Sequence, residues 1–131
     1  MTFAAKTRAL LTALALTALG TQMALADKIS VLTEAPVPAA EAPADAVVVN
    51  IAKMKYEQPE VTIKPGQTVT WINTEAMPHN VAFKAGVVGD AKMDGAMMKK
   101  DQSYSITFNE AGTYDYHCTP HPFMKAKVIV E

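Results

Sequence analysis

Residues 103–118, SYSITFNEAGTYDYHC, alternate apolar and polar side chains on either side of a Glu110-Ala111-Gly112 turn. Tyr104, Ile106 and Phe108 fall on one face of the first run, with Ser103, Ser105 and Thr107 on the other; Tyr114, Tyr116 and Cys118 share a face of the second. A period of two belongs to a pleated strand and not to a helix. The same signature recurs along the chain. Residues 29–33 read as an edge strand, and residues 47–56 begin apolar and β-branched. Residues 61–64 stop at the turn pair Pro65-Gly66, and residues 67–73 resume with Val69 and Trp71 on one face. Residues 79–83 form another short run, and Ala126, Val128 and Val130 mark the last strand. Residues 34–46, with Pro36, Pro38 and Pro43, read as an extended connector. Residues 84–101 hold Gly86, Gly89 and Gly95 and read as loop with at most a brief strand. Roughly seven or eight short strands at this spacing predict an all-β fold, an antiparallel Greek-key β-sandwich or barrel.

The first twenty-six residues stand apart from this pattern. Lys6 and Arg8 precede an apolar run from Ala9 to about Gly20, and Ala24-Leu25-Ala26 closes the segment before Asp27. A charged start, a short apolar middle and a small-residue end predict a secretory signal peptide over residues 1–26, cleaved after Ala26. The apolar run falls short of the ~20 residues that a membrane span needs. Residues 27–131 are then one domain, exported to the periplasm. Setting aside Lys6 and Arg8, the chain carries 10 basic against 13 acidic residues. So weak and mixed a charge points to neither nucleic acid nor an anionic membrane as partner.

One cysteine cannot form an internal disulfide, and a free thiol in an oxidising compartment is open to oxidation unless something protects it. Cys118 lies in YHCTPHPFM, residues 116–124, with His121 and Met124 following at intervals of three. Such a run at the junction of two strands can converge on a point in front of it. A fourth ligand would come from elsewhere, and His79, following the rigid Met77-Pro78 pair, is the obvious source. Thiolate, two imidazoles and a thioether suit copper in both oxidation states. Zinc is the alternative metal, although thioether ligands are uncharacteristic of its sites. A Cys–His nucleophile is the enzymatic alternative, and it would need an oxyanion hole and a cleft that the sequence does not indicate. His117, next to Cys118 on a strand, should point to the opposite side and not be a ligand.

On IAKMKY, TVTWIN, EAMPHNV and EAGTYDYHCTPHPFM, the chain resembles the cupredoxins, the type 1 blue copper proteins, over nearly all of residues 27–131. The Cys-x-x-His-x-x-Met spacing is the most specific part of the match, and the resemblance within that family implies a role in methylamine oxidation. The resemblance implies one copper cycling between Cu(II) and Cu(I), held by His79, Cys118, His121 and an axial Met124. It implies that the Asn80 side chain ties the ligand loops together. It further implies an electron carrier and no enzyme, with a quinoprotein methylamine dehydrogenase as donor and a c-type cytochrome as acceptor. An apolar docking patch of Met54, Met77, Pro78, Met97, Pro120, Pro122 and Phe123 would surround the exposed edge of His121. On reduction, that exposed histidine would take a proton and leave the metal. The protein is expected to be monomeric. A copper chaperone or store is the competing function, since it would use the same soft ligands. Ala126 departs from the family, which commonly has glycine there.

Overall fold

The alternating runs become β9 (Gln102–Phe108) and β10 (Gly112–Cys118), and the turn between them carries the chain from one sheet to the other. The fold is that of a computed structural model that describes residues 27–131. The expected signal peptide, residues 1–26, lies outside the described residues. One sheet runs in the order β1 (Ile29–Val31), β9, β6 (Thr68–Asn73), β3 (Val47–Ala52), β4 (Lys55–Tyr56). The short β2 (Val37–Pro38) also pairs with β9, so the N-terminal segment covers the β9 edge that β6 leaves free. The other sheet runs β5 (Glu60–Ile63), β11 (His121–Val130), β10, β7 (Ala82–Phe83), β8 (Met93–Asp94).

The class is all-β as expected, a sandwich of two sheets, but neither sheet is wholly antiparallel. β3 runs parallel to β6, and β5 runs parallel to β11. The crossing from one sheet to the other between β4 and β6, through β5, brings these strands back in the same direction. The only helical element among the described residues is a 3-10 turn, Ala39–Glu41, inside the connector.

The inward faces interlock around Trp71, which is closed to solvent, as are Phe83, Phe108, Val49, Ile51 and Val69. Tyr116 lies edge-on to Trp71 with ring centroids 5.3 Å apart and to Tyr56 at 4.8 Å, the arrangement that aromatic quadrupoles favour. The hydroxyl face of β9 is closed off as well: Ser103 and Ser105 are buried. Burial there requires partners. Ser105 Oγ lies 2.7 Å from Thr70 Oγ1, and Ser103 Oγ donates to the Val37 carbonyl of the connector.

Residues 47–56 are also more than one run. Ala52 pairs with Lys55, and the two residues between them, Lys53 and Met54, take positive φ of 52° and 58°. This is the two-residue turn that matches strand twist, but it lacks the Asn or Gly that such a turn prefers. Each left-handed residue costs roughly 1 kcal/mol or more.

Candidate metal centre

Three elements bring the sulfur and nitrogen donors together. β10 ends at Cys118, and its register with β11 shifts between His117 and Cys118. His117 still pairs with Lys125, whereas Cys118 pairs with His121 across the Thr119-Pro120 turn. Pro122, Phe123 and Met124 therefore bulge out of the ladder. Strict alternation would set His121 and Met124 on opposite faces, and the bulge removes that constraint. Met124 is buried in the same core cluster as Cys118, and it lines a groove with Met54, Tyr56 and Phe123. Ala126 pairs with Tyr116 in the regular part of the ladder, so the missing glycine leaves no irregularity there.

His79 arrives from the opposite side. It does not head a strand; it makes a single bridge with Met98, closed by backbone bonds of 3.2 and 2.8 Å. The segment before it is fastened by Asn73, whose Nδ2 donates to the carbonyls of Met77 and Met98, both at 2.9 Å. Asn80, next in the chain, is buried. Its Nδ2 donates to Gly95 O and Thr119 Oγ1, and its Oδ1 accepts the Thr119 amide at 2.7 Å. The segment carrying His79 is thereby pinned to the turn carrying Cys118 and His121. Gly95 is required at its place, because a Cβ there would meet the Val81 carbonyl at 2.5 Å.

The donors converge. Cys118 Sγ lies 3.6 Å from His79 Nδ1 and 3.6 Å from His121 Nδ1. The three donor atoms lie within 4.8 Å of one another, the only such cluster of His, Cys, Asp or Glu among the described residues. Ligands about 2.0–2.3 Å from a shared ion are spaced in this range. His79 and Cys118 are closed to solvent, and His121 is half-buried. His117 stands outside the cluster, half-buried on the outer side with Lys84 and Asp115.

The electrostatics favour a bound cation. Burial pushes the Cys118 thiol above its usual range, and backbone N–H groups of Asn80 and His121 offset only part of that. A thiolate here calls for positive charge beside it. Glu75 was not among the residues singled out from sequence, yet its Oε1 lies 2.5 Å from His79 Nε2. Partial desolvation pushes its carboxyl up, but His79 and the backbone amides of Met54 and Lys53 outweigh this and hold it below the ordinary range. A carboxylate only accepts, so a proton sits on Nε2, and Nδ1 is the nitrogen turned toward Cys118. Of the expected patch, Met77, Met97 and Phe123 are exposed, Phe123 at 67%, as are Pro78, Pro120 and Pro122; Met54 is half-buried.

Residues 43–131 match the copper binding proteins of the plastocyanin/azurin family. The chain belongs to this family. It is 62% identical to amicyanin of Paracoccus denitrificans over 131 residues, the full length of both chains. It is 65% identical to amicyanin of Paracoccus versutus over 125 residues, 95% of each chain. The crystal structure of the Paracoccus versutus amicyanin is 69% identical and superposes with a TM-score of 0.79, covering 81% of this chain and all of that one. As an amicyanin-like member of the plastocyanin/azurin family, the chain is a type 1 blue copper electron carrier and not an enzyme, with copper as its cofactor. The donor set agrees, since a thiolate between two imidazoles serves both copper oxidation states.

Proposed function

We propose that His79 Nδ1, Cys118 Sγ and His121 Nδ1, together with the Met124 sulfur, would hold the copper. The observation that carries this reading is the Cys118 sulfur 3.6 Å from each of two imidazole nitrogens in a largely buried pocket. Bound there, copper supplies a one-electron couple. The chain's part is to keep the donors in place as the charge changes, so that little rearrangement opposes the electron. The Asn73 and Asn80 side chains do this by cross-linking the two ligand segments. Such fastening also argues against a chaperone, which must open to release its metal.

The electron enters or leaves through His121, the least buried of the three clustered donors, whose ring lies 6.1 Å from the exposed Phe123 ring. The apolar side chains of Met54, Met77, Pro78, Met97, Pro120, Pro122 and Phe123 form the docking patch around it. Redox encounters of this kind need only a small interface, under ~1,200 Å² in total. The donor is a quinoprotein methylamine dehydrogenase and the acceptor a c-type cytochrome. Residues 1–26 export the chain to the periplasm, where residues 27–131 work as a single-domain monomer; none of the helices among the described residues is long and apolar enough to cross a membrane.

Adding Cu(II) to the apoprotein should give an intense blue colour that ascorbate bleaches and reoxidation restores. Cys118→Ala should abolish the colour and His117→Ala should leave it. Methylamine-reduced dehydrogenase should bleach the wild type in stopped flow. A colourless protein, or a blue one that loses its colour in His117→Ala, would overturn the ligand assignment; a blue protein inert to the dehydrogenase would overturn the partner.

A further inference from the structure

Glu75 contacts two parts of the molecule through one oxygen. Oε1 lies 2.5 Å from His79 Nε2 and also accepts the Met54 backbone N–H at 3.1 Å. One atom thus joins the ring of a buried histidine to a hairpin turn 21 residues earlier. That turn is the strained one, with Lys53 and Met54 both left-handed. The Glu75 backbone is itself held, because its amide donates to Asn73 Oδ1 at 3.1 Å and the same Asn73 fixes Met77. The Glu75 side chain is 23% exposed, so the contact is shielded from most of the competing water.

We propose that Glu75 is a positioning residue of the copper site, holding the His79 ring with Nδ1 toward the metal and locking the Lys53-Met54 turn to that ring. The proposal rests on the copper assignment above. A carboxylate on the far nitrogen of a metal-binding imidazole sets its tautomer and raises its basicity, and losing such a partner costs about 10–100-fold in metal affinity. The negative charge favours the more highly charged ion, so the loss falls more heavily on Cu(II) than on Cu(I). Met54 also flanks the apolar patch, and a partner pressing there bears on the oxygen that orients His79. The docking face and the metal share this one carboxylate.

Three measurements test this with Glu75→Gln and Glu75→Ala. In the wild-type apoprotein, long-range nitrogen–proton NMR should place the His79 proton on Nε2, and the Met54 amide should exchange slowly. Glu75→Ala should mix the tautomers and speed Met54 exchange by about tenfold or more, the cost of one lost hydrogen bond. Glu75→Gln keeps the shape and both contacts but removes the charge. It should weaken Cu(II) relative to Cu(I) about tenfold, which raises the potential by ~59 mV for one electron. If Glu75→Ala does not fold, the glutamine variant's potential carries the test. A wild-type proton on Nδ1, a Met54 amide indifferent to Glu75→Ala, or an unchanged potential in Glu75→Gln would each overturn the proposal. A wild type that takes up no copper would instead remove the copper assignment, while the apoprotein measurements still decide whether Glu75 holds the ring and the turn.

Discussion

Asn80→Ala is the substitution whose cost the geometry defines best. The Asn80 side chain makes three hydrogen bonds: to Gly95 O at 3.0 Å, to Thr119 Oγ1 at 2.9 Å and from the Thr119 amide at 2.7 Å. Each contributes roughly 0.5–1.5 kcal/mol net, and a buried group left without a partner adds about 1–3 kcal/mol. Thr119 is exposed, so water can replace its bonds, whereas Gly95 is buried and its carbonyl is left bare. The expected loss in the apoprotein is therefore about 3–4 kcal/mol, a large share of the roughly 5–15 kcal/mol that keeps a domain folded. With a urea m-value of about 2 kcal/mol per molar, the midpoint should fall by nearly 2 M. Copper should recover part of this, because it links the same two segments through the donors. Urea unfolding of apo and copper-loaded protein, followed by Trp71 fluorescence, measures both quantities. A loss below ~1 kcal/mol at constant m would show that the two ligand segments are held by something other than this side chain.

Three further outcomes are expected. Met124→Gln should retain copper but shift its reduction potential, as expected of an axial ligand, and an unchanged voltammogram would place Met124 outside the coordination sphere. Burial above all, with smaller contributions from Cys118 and Tyr116, pushes the Tyr56 phenol far above its ordinary range. Because its folded value is raised, this contribution to stability is complete below the unfolded value of about 10 and is lost as pH climbs above it, by up to ~1.4 kcal/mol per pH unit. Melting temperatures of wild type should therefore fall steeply above that pH, and Tyr56→Phe should have a shallower slope; equal slopes would refute the attribution. Deleting residues 27–42 uncovers the edge of β9, and an open edge invites pairing with a second chain. Light scattering should show dimers or larger species, and a well-behaved monomer would mean the edge is protected in another way.

Much of this was legible in the chain. Period-two runs gave the strands around Trp71 and Tyr116, and the Cys118, His121 and Met124 spacing pointed to a metal, because donors close in sequence are close in space. The parallel pairings of β3 with β6 and β5 with β11 left no trace, since alternation reports which face is buried and not which way a neighbour runs. The turn at Lys53 and Met54 was hidden because neither residue is one that such turns select. Glu75 could have been noticed only as a carboxylate four residues before His79. That spacing has meaning on a helix, and this segment is not one.

The sequence by itself determined the strand content and the donor types and pointed to all four proposed ligands, because those depend on local spacing and on the chemistry of each side chain. Tertiary structure alone decided how the Cys118 sulfur sits between two imidazoles, 3.6 Å from each. It also decided which nitrogen of His79 faces the sulfur and which carboxylate holds the other. Those are relations between segments far apart in the chain, brought together only when the shared core around Trp71 is buried.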